Sequence, residues 1–529
     1  MYKSKIINLS FFILFILIFF LYAQKISPYI VGNNVWLPEE LTDEIWRITS
    51  ECPVQILRIG GEGYDNSPYN QATLDGWIDK IYNLCKAEPI IQVPQNSSTE
   101  YAASLVQRYT KNKTTNKAIF YNIGNEPGLH GDNASIIANM IKRLSPAMRD
   151  VDFSIKIFVF DECDINYGNL ATQLFDTPNG PNDITGKDSK GRWLVDGMSW
   201  HRYPGGVNAS NIAYNGYNDI AERCRQAKEM MDRANSRQNR TGENALQWGI
   251  GEFNAPNGPL VHTFGCGQMV GGILGQCMKY GATYACLWDM FERGGNRTNS
   301  TDFSWIDGVG GKRPRAMYWH MAFVSREFSG NYADGSCNIT DILTYGCKDE
   351  NKNKLCAIII NRANTAQTYT LRFDKTTITT GNCRINIDAN TNVQYQGNIT
   401  GLTTQCLVFN LSGSLIRRYT YTSEDFNQLV PPKIENFNVP IIKVFPDKDN
   451  QNINVNSLKI YSGFIYLNFP DKKQYNLDII NLKGDRIFTQ QGYSNKVTVN
   501  IQKISSGSYL LILKDKDNYI GLRKKFIIN

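Results

Sequence analysis

Short β-branched or aromatic runs alternate eight times with longer amphipathic stretches between residues 31 and 328 of this 529-residue chain. Within the longer stretches, apolar residues recur every three or four positions, which is the period of an α-helix with one buried face. Regular alternation of strands and helices produces a parallel sheet covered by helices. Eight such units in roughly 300 residues have the size of a (β/α)8 TIM barrel, and we predict this α/β fold.

A doubly wound open sheet is the alternative architecture for the same alternation. Its dinucleotide-binding form carries a Gly-x-Gly-x-x-Gly turn after the first strand. No such turn follows the first strand candidate, YIVGNNVW, so the barrel is the better interpretation. The other strand candidates are VQILRIGG, EPIIQVPQ, AIFYNIGNEP, IKIFVFDE, VDGMSWHRYP, LQWGIGEFN and YACLWDMF.

The helical period stops after Gly330. Short alternating strands separated by turn residues then predict a small accessory β-sandwich. A linker containing Pro431, Pro432 and Pro440 leads to further short strands, which predict a C-terminal all-β module. The predicted organisation is a signal peptide (1–23), the barrel (24–330), the sandwich (331–413), the linker (414–442) and the C-terminal module (443–529).

The N-terminus has the pattern of a secretory signal peptide. Lys3 and Lys5 precede an apolar run from Phe11 to Leu21, and Ala23 follows at a cleavage position. An uncleaved anchor helix is the alternative, but the run is shorter than the ~20 residues that a membrane span needs. We therefore expect an exported protein, either secreted or held at the cell surface.

Twelve cysteines in an exported chain indicate disulfide bonds, because the compartment is oxidising. Seven lie between Cys52 and Cys286 and five between Cys337 and Cys406, so the pairing stays open. The chain has only four histidines and no Cys-x-x-Cys pair with matching histidines, so a zinc site is not expected. We expect neither a metal nor another cofactor.

The net charge of +7 does not indicate a nucleic-acid partner. Residues 25–330 carry 30 Lys and Arg against 33 Asp and Glu, so the predicted barrel is slightly acidic. Residues 414–529 carry 17 against 10, without the compact basic runs that bind a phosphate backbone. The aromatic share of 12% suits surfaces that stack against flat apolar faces such as sugar rings.

Two glutamates stand at the ends of otherwise apolar strands, in Asn125-Glu126-Pro127 after strand 4 and in Gly251-Glu252-Phe253 after strand 7. The C-terminal strand ends of a TIM barrel form its active site. Glycoside hydrolysis needs two opposed carboxyl groups, one to protonate the leaving oxygen and one to attack or to activate water. A single such glutamate is usually a solvated loop residue, but the pair favours this chemistry.

The segments I-G-N-E-P and G-E-F resemble the catalytic signatures of the clan A glycoside hydrolases over residues 25–330. The resemblance implies that Glu126 is the general acid/base and Glu252 the nucleophile of a retaining enzyme. It implies a secreted hydrolase that cleaves β-glycosidic bonds of a polysaccharide or oligosaccharide. The alternative is a non-catalytic surface protein that binds or adheres to glycans on the same barrel.

Further residues match the same clan pattern and are candidates for substrate binding. Asn125 can hydrogen-bond a sugar 2-hydroxyl, and Arg58 in L-R-I-G-G can hold the nucleophile ionised. His201 and Tyr203 in S-W-H-R-Y-P resemble the clan's His-x-Tyr pair, and Trp288 in C-L-W-D-M resembles its indole platform. The alternatives are a structural salt bridge for Arg58, rim positions for His201 and Tyr203, and a core position for Trp288.

Other acids near strand ends match no catalytic position of the clan, and among them Glu162 is the reserve candidate. They are Glu62, Asp161, Glu162, Asp289 and Glu292.

The C-terminal module resembles the sorting domain of the type IX secretion system of Bacteroidota. The resemblance rests on V-F-P-D at 444–447, I-I-N-L-K-G at 479–484, S-S-G-S-Y-L-L at 505–511 and the closing K-K-F-I-I-N. It implies the secretion machinery as a partner, beside the carbohydrate substrate. A β-sandwich binding module is the alternative, and we expect the protein to be a monomer.

Overall fold

The computed structural model describes residues 24–292, 299–309, 311–375, 382–387, 391–437, 457–461, 464–481, 485–501, 504, 507–514 and 520–528. The predicted signal peptide lies outside these residues. The chain divides into two compact units, one formed by Met1–Gly413 with Arg418–Glu435 and the other by Ser414–Arg417 with Asn436–Asn529. In the described part of the chain, no helix combines the length and the apolar character needed to cross a membrane.

Eight parallel strands form a closed barrel in which each strand pairs with the next and the eighth pairs with the first. All eight predicted strand segments contribute, so the predicted (β/α)8 barrel is confirmed. The strands are β1 (Tyr29–Val35), β2 (Ile56–Ile59), β3 (Glu88–Val93), β4 (Phe120–Ile123), β5 (Lys156–Glu162), β6 (Gly197–Arg202), β7 (Gln247–Phe253) and β8 (Tyr284–Leu287).

The helices around the barrel bury one apolar face. Ala134–Val151 is an example: the Asn133 side chain caps its first turn by accepting hydrogen bonds from the backbone, and its buried residues recur with helical spacing. The α-helices are α1 (Asp43–Glu51), α2 (Glu62–Asn66), α3 (Gln71–Lys80), α4 (Thr99–Val106), α5 (Ala134–Val151), α6 (Tyr217–Gln238), α7 (Gly258–Val261), α8 (Phe264–Lys279), α9 (Ala316–Glu327) and α10 (Ser423–Asn427). Shorter π-helical turns are Ile81–Cys85, Gln107–Lys111, Thr172–Asp176 and Ile212–Gly216, and 3-10 turns are Tyr167–Asn169 and Gly242–Asn244.

The barrel interior contains an apolar layer and, above it, a polar layer. The apolar layer consists of Ile56, Ile90, Phe120, Phe158, Tyr284 and Cys286. Because side chains alternate along a strand, the residue two positions further on faces the same interior. On β2, β3 and β4 these residues are Arg58, Gln92 and Asn122, all fully buried. The strands therefore present polar groups at their C-terminal ends.

A bulge in β5 changes this alternation. Strict alternation would place Phe160 in the polar layer, but the register with β6 shifts between Phe160 and Glu162. Phe160 and Asp161 have φ values of 87° and 37°, which L-residues rarely adopt. Phe160 instead packs against Phe175, and Asp161 takes the interior position. Bulges of this kind are frequent beside active sites, where they redirect a side chain.

Two β-sheets follow the barrel, as predicted. In the smaller one Gln367–Asp374 and Asn382–Asn386 run parallel, and the other strand pairs are antiparallel. The six-stranded sheet has the order β11-β13-β14-β18-β19-β20, and the four-stranded sheet has the order β12-β16-β15-β17. A disulfide joins Cys337 to Cys383, which are register partners on β12 and β16. The strands are β9 (Ile306–Asp307), β10 (Arg313–Pro314), β11 (Asn331–Ala333), β12 (Gly335–Cys337), β13 (Ile342–Asp349), β14 (Lys354–Asn361), β15 (Gln367–Asp374), β16 (Asn382–Asn386), β17 (Val393–Ile399), β18 (Thr403–Asn410), β19 (Leu415–Thr422) and β20 (Lys433–Asn436).

Part of the segment predicted as a linker has regular structure. Leu415–Thr422 and Lys433–Asn436 are strands of the six-stranded sheet, with the short helix Ser423–Asn427 between them. Thr422 and Asp425 form a capping box that starts this helix. Pro440 lies outside the described residues.

The C-terminal strands form a separate five-stranded antiparallel sheet, which confirms the predicted third β module. The long strand β22 pairs with β23 and with β24, and alternate apolar side chains give the module its own core. The strands are β21 (Ser457–Tyr461), β22 (Phe464–Asn481), β23 (Arg486–Asn500), β24 (Gly507–Lys514) and β25 (Ile520–Ile528).

Candidate active site

The two predicted catalytic glutamates lie together at the C-terminal ends of the barrel strands. Glu126 follows β4 with φ 48°, and its backbone N–H donates to the carbonyl of Asp161 at 2.9 Å. Glu252 is on β7 and is the register partner of His201 on β6. A carboxylate oxygen of each glutamate and a ring nitrogen of His201 lie within 4.8 Å of one another. One bound molecule can therefore contact both carboxyl groups.

Arg58 is a buried hub that joins several strands. Its Nη1 donates to Glu252 Oε1 at 2.9 Å and to Asn34 Oδ1 at 2.8 Å. Its Nη2 donates to Asp161 Oδ2 at 2.6 Å and to Asn125 Oδ1 at 2.7 Å. Burial alone would lower the pKa of Arg58, but the two carboxylates raise it above its ordinary value. The guanidinium therefore stays charged and fixes the positions of Glu252 and Asn125.

The surroundings of Glu252 combine burial with donors. Burial raises the pKa of Glu252 above its ordinary value, although His201 and Arg58 act in the opposite direction. The hydroxyl of Tyr203 donates to Oε2 at 2.9 Å. Burial also raises the pKa of Tyr203 well above its usual value, so the phenol stays protonated and remains a donor. Both carboxylate oxygens thus accept a hydrogen bond.

His201 lies between three carboxyl groups. Its Nδ1 is 2.9 Å from Glu126 Oε1 and 3.6 Å from Glu252 Oε2, and its Nε2 is 3.2 Å from Asp161 Oδ1. Burial would lower the pKa of His201, but Glu252, Asp161 and Glu126 together raise it to about 10. The ring is therefore an imidazolium at neutral pH, and each of its nitrogens carries a proton.

Asp161 connects His201 with Arg58 from inside the barrel. It is fully buried, and Oδ2 also accepts a hydrogen bond from Asn122 Nδ2 at 3.0 Å. Burial would raise the pKa of Asp161, but Arg58 and His201 hold it well below its usual range. A Cβ at position 251 would lie 2.2 Å from Asp161 Oδ1. Gly251 is therefore needed for this carboxylate to occupy the interior.

Trp288 follows β8 and has 8% of its surface exposed. Its indole packs against Trp36, with ring centroids 5.1 Å apart. On another side it contacts Gly61, where a Cβ would lie 2.6 Å from the ring and φ is 102°. Only glycine satisfies both requirements. The ring is therefore fixed beside the ends of β1 and β2.

The reserve candidate Glu162 serves the local backbone. Its Oε2 accepts from the N–H of Gly128 at 2.6 Å and its Oε1 from the N–H of Cys163 at 3.0 Å. Burial raises the pKa of Glu162. One oxygen thus holds the loop that follows Glu126, and the other holds the backbone directly after β5.

Asn34 and Gln92, like Asn122, belong to the network and were absent from the sequence-based site. Asn34 Nδ2 donates to the carbonyls of Gly251 at 2.9 Å and Leu287 at 3.1 Å, which links β1 to β7 and β8. Gln92 Oε1 accepts from Arg58 Nη2 at 3.1 Å and from the N–H of Gly61 at 2.7 Å. The signal was a polar side chain in an otherwise apolar, buried strand, since such a group requires a partner.

Within the ranges that the structure describes, a single group of His, Cys, Asp and Glu side chains could hold a metal ion: Glu126, His201 and Glu252. Both ring nitrogens of His201 already contact carboxylates. Acid/base chemistry with two carboxyl groups needs no metal. The absence of a metal or other cofactor stays a prediction.

The barrel and the sheets after it have the fold of known glycoside hydrolases, so the resemblance to clan A is confirmed for the fold. A family 51 α-L-arabinofuranosidase from Bifidobacterium longum superimposes with a TM-score of 0.55 and 12% identity, over 74% of this chain and 97% of that structure. An α-L-arabinofuranosidase from Thermotoga maritima gives 0.50 and 14%, over 73% and 96%. A bifunctional glucanase-xylanase from a metagenome library gives 0.50 and 14%, over 73% and 97%.

Residues 443–529 match the family model for a secretion system C-terminal sorting domain. This match confirms the predicted sorting domain and indicates an extracellular or cell-surface protein. No curated protein matches the sequence.

Proposed function

We propose that the protein is a secreted retaining glycoside hydrolase that cleaves β-glycosidic bonds of a polysaccharide or oligosaccharide by double displacement. The main support is the pair formed by Glu126 and Glu252, whose oxygens lie within 4.8 Å of each other and of His201. Retaining enzymes hold their two carboxyl groups about 5–5.5 Å apart, whereas inverting enzymes leave room for a water between them. The observed proximity therefore favours retention.

The two glutamates have different surroundings, and this difference supports different roles. Glu252 is 6% exposed and is fixed through both oxygens, by Arg58 and by Tyr203. A nucleophile must be ionised and held in one orientation, and a guanidinium partner favours the ionised form. Glu252 is therefore the proposed nucleophile.

Glu126 is the proposed general acid/base. Its side chain is 16% exposed and contacts His201 through one oxygen only, so the other oxygen is available to a ligand. In the first step Glu252 attacks the anomeric carbon, the glycosidic C–O bond breaks, and the proton of Glu126 moves to the leaving oxygen. In the second step Glu126 takes a proton from water, the water oxygen attacks the same carbon, and Glu252 is released.

The remaining candidates have roles consistent with this reaction. We propose that Asn125, which accepts from Arg58 at 2.7 Å, hydrogen-bonds the sugar hydroxyl next to the anomeric carbon. We propose that a sugar ring packs on Trp288 through the 8% of its surface that is exposed. The structures with the same fold include an α-L-arabinofuranosidase and a bifunctional glucanase-xylanase, so arabinofuranosides, glucans and xylans form the first assay panel.

The secretion machinery is the proposed partner of the C-terminal module, because the family that matches residues 443–529 is a sorting domain. We propose that the type IX system carries the protein across the outer membrane. The proposed assembly state is a monomer.

The mutants Glu252→Ala and Glu126→Ala test the two roles with aryl glycosides of the panel sugars. We expect Glu252→Ala to be inactive on every substrate, and Glu126→Ala to keep activity on substrates whose leaving group needs no proton. Azide should rescue Glu252→Ala and give the inverted glycosyl azide. A retained azide product from this variant would exchange the two assignments.

Glu327→Gln is the matched control, because Glu327 is a buried glutamate distant in sequence from both catalytic positions. It accepts from Tyr419 at 2.6 Å and pairs with Lys354 at 3.4 Å. We expect this variant to lose stability and to keep its turnover number. A wild-type protein that binds panel glycans but releases no product would support the binding-protein alternative and refute the proposal.

A further inference from the structure

The buried cluster around Asp161 contains equal numbers of positive and negative side chains. Arg58 and His201 are cations, and Asp161 and Glu252 are anions that contact them. These four charges cancel. A fifth titratable group, Glu126, contacts the cluster through His201 at 2.9 Å.

In the part of the chain that the structure describes, the charged groups that contact Asp161 are Arg58 on β2 and His201 on β6. Glu252 on β7 and Tyr284 and Cys286 on β8 also interact with it. Burial raises the pKa of both β8 groups, so both are neutral at physiological pH. Asn122 on β4 and Ser199 on β6 contribute only neutral hydrogen-bonding groups.

We infer that Asp161 is a positioning residue that sets the number of protons shared by the two catalytic carboxyl groups, acting through His201 and Arg58. With Asp161 ionised, the cluster is neutral when Glu126 is protonated, which is the state that the first step of the proposed reaction needs. Without the charge of Asp161 the same state would carry a net positive charge inside the barrel. Such a charge favours loss of a proton from the cluster.

The bulge in β5 supports this role. A regular strand would place Phe160 in the interior position, and two consecutive residues with positive φ are required to place Asp161 there instead. Strained backbone of this kind persists where the surrounding structure enforces it, and it is concentrated at functional sites. Gly251 supplies the matching space on β7.

Asp161→Asn tests the inference with little change of shape. We expect the alkaline limb of the pH profile of kcat/KM to move to lower pH by about one unit or more, because a charge a few Å away has been removed. The matched control is Asp196→Asn, which removes a buried carboxylate 2.6 Å from Arg149 immediately before β6, at the opposite end of that strand. The control should lose stability without a shift of the profile.

A second readout does not depend on turnover. The chain has four histidines, so the signal of His201 can be assigned by NMR from its loss in His201→Asn. In the wild-type protein this ring should remain an imidazolium between about pH 5 and pH 8, and in Asp161→Asn it should titrate within that range.

The inference rests on the proposed hydrolase function, but the two can fail separately. Absence of hydrolysis by the wild-type protein would refute the function, while the titration of His201 would still test the coupling to Asp161. The inference is overturned if His201 of the wild-type protein titrates near its ordinary value. This measurement can overturn the inference even if Asp161→Asn does not fold. It is also overturned if a folded Asp161→Asn has the pH profile of the Asp196→Asn control.

Discussion

Replacing Tyr203 by phenylalanine removes one hydroxyl from the surroundings of the proposed nucleophile. The hydroxyl donates to Glu252 Oε2 at 2.9 Å, and the ring packs edge to face on Phe303 with centroids 5.5 Å apart. The variant keeps this ring contact. A hydrogen bond to a charged group contributes about 1.5–3 kcal/mol. At about 1.36 kcal/mol per factor of ten, we expect kcat/KM to fall about 10- to 150-fold.

The pH dependence should change in a defined direction. A donor stabilises the ionised carboxylate, so its removal raises the pKa of Glu252, and the acidic limb of the kcat/KM profile should move to higher pH. The assay is hydrolysis of an aryl glycoside with a good leaving group, followed over the pH range in which the protein stays folded. Tyr214→Phe is the control, because it removes a hydroxyl bonded to Asp341 at 3.0 Å.

Two results would refute this reasoning. Tyr203→Phe with wild-type kcat/KM and an unmoved acidic limb would mean that the hydroxyl does not act on Glu252. An equal loss of activity in Tyr203→Phe and Tyr214→Phe would mean that the effect is a general loss of stability.

Three further outcomes concern stability and secretion. Burial lowers the pKa of His320 from 6.5 to about 4, so the stabilisation gained by burying the neutral ring is present above pH 6.5 and should be lost as the pH falls towards 4. In urea titrations the free energy of unfolding should fall by about 3 kcal/mol over this range, and it should fall by less in His320→Gln. Cys337→Ser opens a bond that spans 46 residues and should lower the free energy of unfolding by up to about 4 kcal/mol in non-reducing urea titrations, with a smaller change expected in reducing buffer. Removal of 443–529 should leave the hydrolytic rate of the purified protein nearly unchanged and retain the protein in the periplasm of its host; loss of rate on insoluble polysaccharide alone would instead identify a binding module.

The barrel could be predicted because the sequence patterns that indicate its strands and helices are local. Each strand and each helix has its own hydrophobic period in the sequence. Eight successive strand–helix units are compatible with few architectures. The two glutamates could be predicted because they end apolar strands, and strand ends converge in a barrel. The positions of Glu126 and Glu252 therefore followed from the pattern together with the resemblance.

The importance of Asp161 could not be predicted from the same pattern. Alternation along β5 assigns the interior position to Phe160, and only the bulge reverses that assignment. A bulge depends on pairing with β6, so the sequence of β5 alone does not encode it. Asn34 was missed for a related reason, since its acceptor, the carbonyl of Gly251, is 217 residues away.

The disulfide and the linker illustrate the same limit. Cys337 and Cys383 become neighbours only because β12 pairs with β16, and twelve cysteines allow many pairings. The prolines that follow Leu415–Thr422 predict a linker, whereas this segment is an inner strand of a sheet that begins far earlier in the chain. Both the disulfide pairing and the strand in the predicted linker therefore depend on pairing between strands that are distant in the sequence.

The bond from Asn34 to Leu287 has a consequence for the order in which the protein matures. The two residues are 253 positions apart, so the first strand emerges from the ribosome long before its partner exists. Contacts of such separation form late and slowly. The barrel closes, and the hub around Arg58 is completed, only after β8 has been synthesised. Recovery of enzymatic turnover after dilution from denaturant would therefore time the last event of barrel folding, while circular dichroism would report the earlier helices.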